Sequence, residues 1–135
     1  MKISIPFAFL MFLCISTSAS ANEYVGLRGQ ISAVRESVVL LLSRDNFSKN
    51  DLRKQLKDQT DAVSKRLIQI RPTASKTTAF KELSIVWNDY SKTYEQDFVK
   101  ALNSGDQATA RSLVTTVQRY RLQRMQQLLA ELSAT

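Results

Sequence analysis

From Asn22 to Thr135 the chain has one proline, Pro72, and after Gly29 only one glycine, Gly105. Glycine and proline are the strongest local interrupters of regular structure. A stretch this long with so few of them can hold long helices and few turns. The apolar residues recur at spacings of three and four, the period of one helical face. Leu27, Ile31, Val34, Val38, Leu41 and Leu42 form a first stripe between about Asn22 and Arg44. Ser48, with Asp51 three residues on, resembles a capping box that opens a second segment. Its stripe is Leu52, Leu56, Val63, Leu67 and Ile70, and Pro72 ends it by pushing Arg71 out of helical conformation.

A third stripe follows Thr73, Ala74 and Ser75: Phe80, Leu83, Trp87, Tyr90, Tyr94, Phe98 and Leu102. Asn103, Ser104, Gly105 and Asp106 then read as a helix stop and a new N-cap. The last segment, from about Gln107 to Leu132, carries Ala110, Leu113, Val117, Tyr120, Leu128 and Leu132, with Val114, Leu122, Met125 and Leu129 widening the face. No segment alternates apolar and polar residues as a strand would. Helices of this length joined by short connections predict an all-α, up-down-up-down antiparallel four-helix bundle. Three helices with one broken is the second arrangement compatible with the pattern.

The N-terminus predicts export. Lys2 precedes an apolar run from Ile3 to Ile15, and Ala19, Ser20 and Ala21 supply the small-x-small spacing of a signal-peptidase site. The run is shorter than the ~20 apolar residues of a membrane span. Leu13, before Cys14, is too large for lipoprotein processing. The expected organisation is a signal peptide over residues 1–21 and a four-helix domain over residues 22–135, in the periplasm or outside the cell. An uncleaved anchor is the competing reading of the same segment.

Processing there removes the single cysteine and Lys2, leaving 18 basic against 12 acidic residues and no histidine. The mature part then has neither imidazole nor thiolate, so zinc, copper, haem and the usual histidine-dependent nucleophiles lack their ligands or bases. No cofactor is expected. The carboxylates Asp58, Asp61, Asp89, Glu95 and Asp97 are dispersed, and several lie three or four positions from a lysine, as helix-surface pairs do. An enzyme is not expected.

Trp87, Tyr90, Tyr94 and Phe98 share one helical face. Such spacing suits a core; a stacking surface for a ligand is the functional alternative. Arg119, Tyr120, Arg121 and Arg124 form the densest basic cluster, and guanidinium forks suit carboxylate or phosphate. A solvated face explains the same residues. Export turns a basic composition away from nucleic acid, and Lys and Arg are spread along the whole chain.

The junction Ala101-Leu102-Asn103-Ser104-Gly105-Asp106, followed by Ala108, Ala110 and Arg111, resembles that of the extracytoplasmic four-helix-bundle sensor domains of bacterial chemoreceptors and histidine kinases. That resemblance implies a small, often anionic, ligand held between helices by arginines, here Arg28, Arg35, Arg119, Arg121 or Arg124. The sequence departs from the family in having no second membrane segment or signalling domain after Leu132. Size and export signal are also similar to the small periplasmic b-type cytochromes, whose methionine and histidine ligation this histidine-free chain cannot reproduce.

Two functions follow. One is a non-enzymatic adaptor presenting a helix face to an envelope protein partner. The other is a sensor-like bundle binding a small anion. The wide apolar face of the fourth segment also allows a homodimer. Intact-mass measurement of the chain recovered from an exporting bacterial host should place the mature N-terminus at Asn22; retention of residues 1–21 would indicate an anchor.

Overall fold

The computed structural model describes residues 19–43 and 49–134. Helix α1 spans Ala21–Ser43 and α2 spans Lys49–Gln69. After a short 3-10 turn at Ala74–Lys76 comes α3, Thr77–Lys92, continued by a π-helical stretch at Thr93–Phe98 and by α4, Val99–Asn103. The last two pieces are α5, Gln107–Thr115, and α6, Val117–Ser133. α3, the π stretch and α4 run on without a gap as a third rod, and α5 and α6 are halves of a fourth, so the described residues form an all-α arrangement of four helical rods. No strand occurs among the described residues. The expected signal segment up to residue 18, and the Ser48 capping position, lie outside the described residues. The expected cleavage bond, after Ala21, falls at the start of α1.

Each terminus has a local cause. At the end of α4, Gly105 takes a positive φ of 75°. Its N–H donates to the Leu102 carbonyl (3.2 Å) and that of Asp106 to the Ala101 carbonyl (2.8 Å). This is the Schellman pair, which satisfies carbonyls a helix end leaves open. Asp106 then caps α5 by accepting from the Thr109 backbone N–H (3.0 Å) and hydroxyl (2.7 Å). Those two bonds, the hydroxyl's first, hold the Asp106 carboxyl below its ordinary pKa. The last turn of α6 has no basic residue of its own. Lys76 supplies the charge from the 3-10 turn, donating to the Leu132 (2.7 Å) and Ala134 carbonyls, where the helix dipole favours a cation.

Side-chain bonds between helices pair distant stretches of chain. Ser37 donates to Gln59 (2.6 Å) and Arg66 to Gln30 (3.3 Å), linking α1 and α2. Trp87 donates to Ser64 (2.9 Å) and Thr60 to Glu95 (2.6 Å), linking α2 to the third rod. Gln118 and Arg124 reach Tyr90 and Glu82 from α6. Between them lies one apolar core: Leu27, Ile31, Val34, Val38 and Leu41 from α1, Leu56, Val63 and Leu67 from α2, and the aromatic row of the third rod. Each such side chain stabilises the fold by about 1.5–3 kcal/mol when fully buried.

The fourth rod departs from a straight stripe. Val117 and Tyr120 are 37% and 74% exposed, whereas Gln118 is buried. The cause is a break at Thr116, whose φ and ψ of −113° and −96° are not helical. The Thr115 hydroxyl donates to the Arg111 carbonyl (3.0 Å) and that of Thr116 to the Ser112 carbonyl (2.6 Å). Hydroxyls turned back onto the preceding turn compete with the helical ladder and bend helices. Gln118, four residues after Val114 and seven before Met125, takes the inward place on this rod and Val117 turns outward. Beyond it, Met125, Leu128, Leu129 and Leu132 are buried within the chain.

Two glycines should respond in opposite senses. At Gly105 an alanine has open space but the wrong φ, and Gly105→Ala should lower stability by about 1 kcal/mol. Gly29 lies inside α1 with nothing near a new Cβ, so Gly29→Ala should raise it by ~0.5–1 kcal/mol. Thermal denaturation followed by circular dichroism measures both.

Candidate functional site

Most of the aromatic row is core. Trp87, Tyr90, Tyr94 and Phe98 are each at most 1% exposed. Successive rings pack at centroid distances of 5.9, 4.8 and 5.5 Å, and the last two pairs meet edge to face, the geometry that ring quadrupoles favour. Yet the middle of the row also forms the wall of a cleft of about 630 Å³ between α1, the third rod and the fourth rod. Tyr90, Tyr94 and Gln118 are its buried lining residues. Val114 and Leu122 are half-buried in its sides, and the exposed Arg35 and Arg119 are on its rim.

The cleft coincides with both irregularities of the bundle. The third rod is π-helical from Thr93 to Phe98, and the fourth is broken at Thr116, between Val114 and Gln118. A π stretch adds a residue to a turn and turns side chains to new directions. Gln118 holds this arrangement from α6. Its Nε2 donates to the Tyr90 carbonyl (2.8 Å), while its Oε1 accepts from Arg121 (2.9 Å). Arg121 also donates to the Thr93 hydroxyl (2.7 Å), so its guanidinium is committed to bracing the junction of α3 and the π stretch.

The arginines expected to act together are therefore distributed. Arg35 and Arg119 share the cleft. Arg121 braces the third rod. Arg124 pairs with Glu82 across α6 and α3, its Nη2 2.7 Å from Oε1, and holds that carboxyl below its ordinary pKa through this hydrogen bond. Arg28 is on the exposed face of α1, and Tyr120 points to solvent. Sequence reasoning missed Gln118 as a cleft residue, and it weighed Tyr90 and Tyr94 as core first and as a ligand-stacking surface second. A glutamine in an apolar register is a detectable anomaly, but its phase appears only once the helix breaks at Thr116. Among the described residues no three histidine, cysteine or carboxylate side chains group as metal ligands, and no helix is long and apolar enough to cross a membrane.

One polar atom behind the cleft wall is distinctive. The Tyr90 hydroxyl is buried out of the reach of solvent and makes no well-formed hydrogen bond among the described residues, its polar neighbour being the Tyr94 phenol. Burial, reinforced by that neighbour, raises the Tyr90 pKa far above the ordinary tyrosine value. Burial likewise raises that of Tyr94. The positive charge of Arg35 opposes both shifts.

The chain matches no protein-family model, and no curated protein or solved structure is significantly similar to it. The cleft has to be interpreted from its own chemistry.

An orphaned buried hydroxyl costs about 1–3 kcal/mol. Tyr90→Phe should therefore stabilise the ligand-free protein by roughly 1 kcal/mol, read as a higher urea midpoint at neutral pH. The sign at alkaline pH follows from the raised pKa. Above the unfolded value near 10, the unfolded chain loses a proton that the folded chain keeps, so stability falls as pH rises. Tyr90→Phe removes one such group, and the fall above that pH should be shallower than in the parent.

Proposed function

We propose that this chain is an exported, non-enzymatic binding protein that takes a small organic anion into the cleft between α1, the third rod and the fourth. The observation that carries this reading is that two exposed guanidinium side chains, Arg35 and Arg119, neither hydrogen-bonded nor ion-paired among the described residues, stand on one cleft whose sides include the half-buried Val114 and Leu122. Guanidinium at a rim recognises carboxylate or phosphate and steers it from solution. The apolar walls and the cleft volume suit a small molecule. Glu36, also on the lining, works against dense polyanions and favours a ligand of low charge.

The bundle topology proposed for this domain is up-down-up-down. It is supported by the pairs Gln30–Arg66 and Ser37–Gln59, and by Tyr90–Gln118 and Glu82–Arg124. In each set residue numbers rise along one helix as they fall along the other. Export through residues 1–21 would bring the domain to the periplasm or the medium. The adaptor reading has less to hold it. Exposed large apolar side chains such as Val25, Ile68, Ile85 and Val117 are distributed over four helices, and a partner surface normally concentrates them.

Trp87 is the only tryptophan of the chain, and its ring centroid lies 5.9 Å from that of Tyr90, so its fluorescence reports on the cleft. Titration with acetate, benzoate and inorganic phosphate should give a saturable change for at least one of them. Arg35→Gln and Arg119→Gln should each weaken it roughly tenfold, the effect of losing a charge-assisted hydrogen bond. An unresponsive Trp87, together with flat calorimetric titrations for all three anions, would overturn the reading.

A further inference from the structure

The contacts that open α1 bear on where an export leader ends. Resting on the export reading above, we infer that signal peptidase cuts the Ser18–Ala19 bond, so that the mature protein begins at Ala19. Residues Ser16 to Ala21 are all small. Each of the four bonds from Ser18–Ala19 to Ala21–Asn22 therefore has small residues at the first and third positions before it, as that peptidase requires. Spacing leaves all four open; the fold separates them.

The first separating observation is a tie between distant parts of the chain. The Ala19 backbone N–H donates to the Arg71 carbonyl (3.0 Å), joining the start of α1 to the connection between α2 and α3. Ala19 is half-buried and packs against the apolar core. The first residues of a domain stay ordered only where something ties them down, and this bond does so. Ser20 follows as the residue that opens the helix, its carbonyl accepting from the Glu23 N–H (3.1 Å), and Ala21 is the first residue of α1. Cutting at any of the three later bonds removes Ala19 and the tie with it.

The second is charge. Hydrolysis adds water across the bond, leaving a carboxylate on the leader and an ammonium on the mature chain. At Asn22 that ammonium would sit in the first turn of α1, the end of a helix dipole that disfavours a cation. At Ala19 it stands ahead of the helix and keeps its donor for the Arg71 carbonyl, just past the end of α2 at Gln69, where the dipole of that helix favours positive charge.

The third is the shape of the substrate. A peptidase takes its substrate extended, and the Ala21–Asn22 bond lies inside a helical turn. The Ser18–Ala19 bond precedes all of these contacts. It is also the earliest bond the spacing allows, because one residue sooner the large Ile15 takes the third position. A leader of 18 residues is within the usual length of about 15–30.

Expression of the full chain in an exporting bacterial host, with intact-mass measurement and N-terminal sequencing of the exported product, tests the inference on the parent and on two variants. The parent should begin at Ala19, heavier by Ala-Ser-Ala than a product beginning at Asn22. Ser18→Leu places a large residue directly before the inferred bond and should abolish the product that begins at Ala19. Ala21→Leu alters an exposed helix position and should leave that product unchanged. A parent beginning at Ser20, Ala21 or Asn22 overturns this inference and leaves export standing. So does a Ser18→Leu chain that still begins at Ala19, or an Ala21→Leu chain that is no longer cut. Recovery of the whole uncut chain from the parent overturns both readings.

Discussion

The grip of Gln118 on the Tyr90 carbonyl is the contact on which the rest of the functional geometry depends. It joins two places where the helices abandon α geometry, the junction of α3 with the π stretch and the break at Thr116. A buried amide is costly unless both its ends are bonded, and here the Tyr90 carbonyl and the Arg121 guanidinium complete it. Arg121 extends the brace to Thr93. The cluster fixes the relative phase of the third and fourth rods, and that phase decides which side chains face the gap between them.

The consequences run in both directions from this brace. Toward the core, the aromatic row stays aligned over two turns and packs edge to face from Tyr90 to Phe98. Toward solvent, Val117 and Tyr120 turn away from the third rod. The space left is open at the rim, where Arg35 and Arg119 stand, and closed at the base by the tyrosines. One irregular pair of turns therefore both preserves packing and creates a cleft. The orphaned Tyr90 hydroxyl is the part of this arrangement that stability alone does not explain, since a phenylalanine would fill the same core position without an unmet hydrogen bond.

The ends of the bundle use simpler rules. The Gly105–Asp106 junction combines a Schellman stop with an N-cap in two adjacent residues, and Lys76 reaches across sequence to the end of α6. These contacts hold the rods in place around the brace. The exposed Lys57–Asp61 pair, 2.8 Å apart on one face of α2, belongs to the solvated surface, where such pairs contribute little.

By itself the sequence determined the helical class, nearly every core position in the first three rods, and the Gly105–Asp106 junction. Those features rest on local propensity and on a 3.6-residue period that burial must obey, so they can be read from spacing along one strand of text. It also made Arg35 and Arg119 candidates, but only among five arginines, because a guanidinium on a helix surface looks the same whether it faces solvent or a cleft. Only the tertiary structure decided between them. The π stretch at Thr93–Phe98 and the break at Thr116 each shift helical phase, and a phase shift has meaning only relative to the neighbouring helix. That is why Arg121, two residues from Arg119, became a brace instead of a rim residue. It is also why Tyr90 could be read as core from its spacing, while its unpaired hydroxyl depended on every group packed around it.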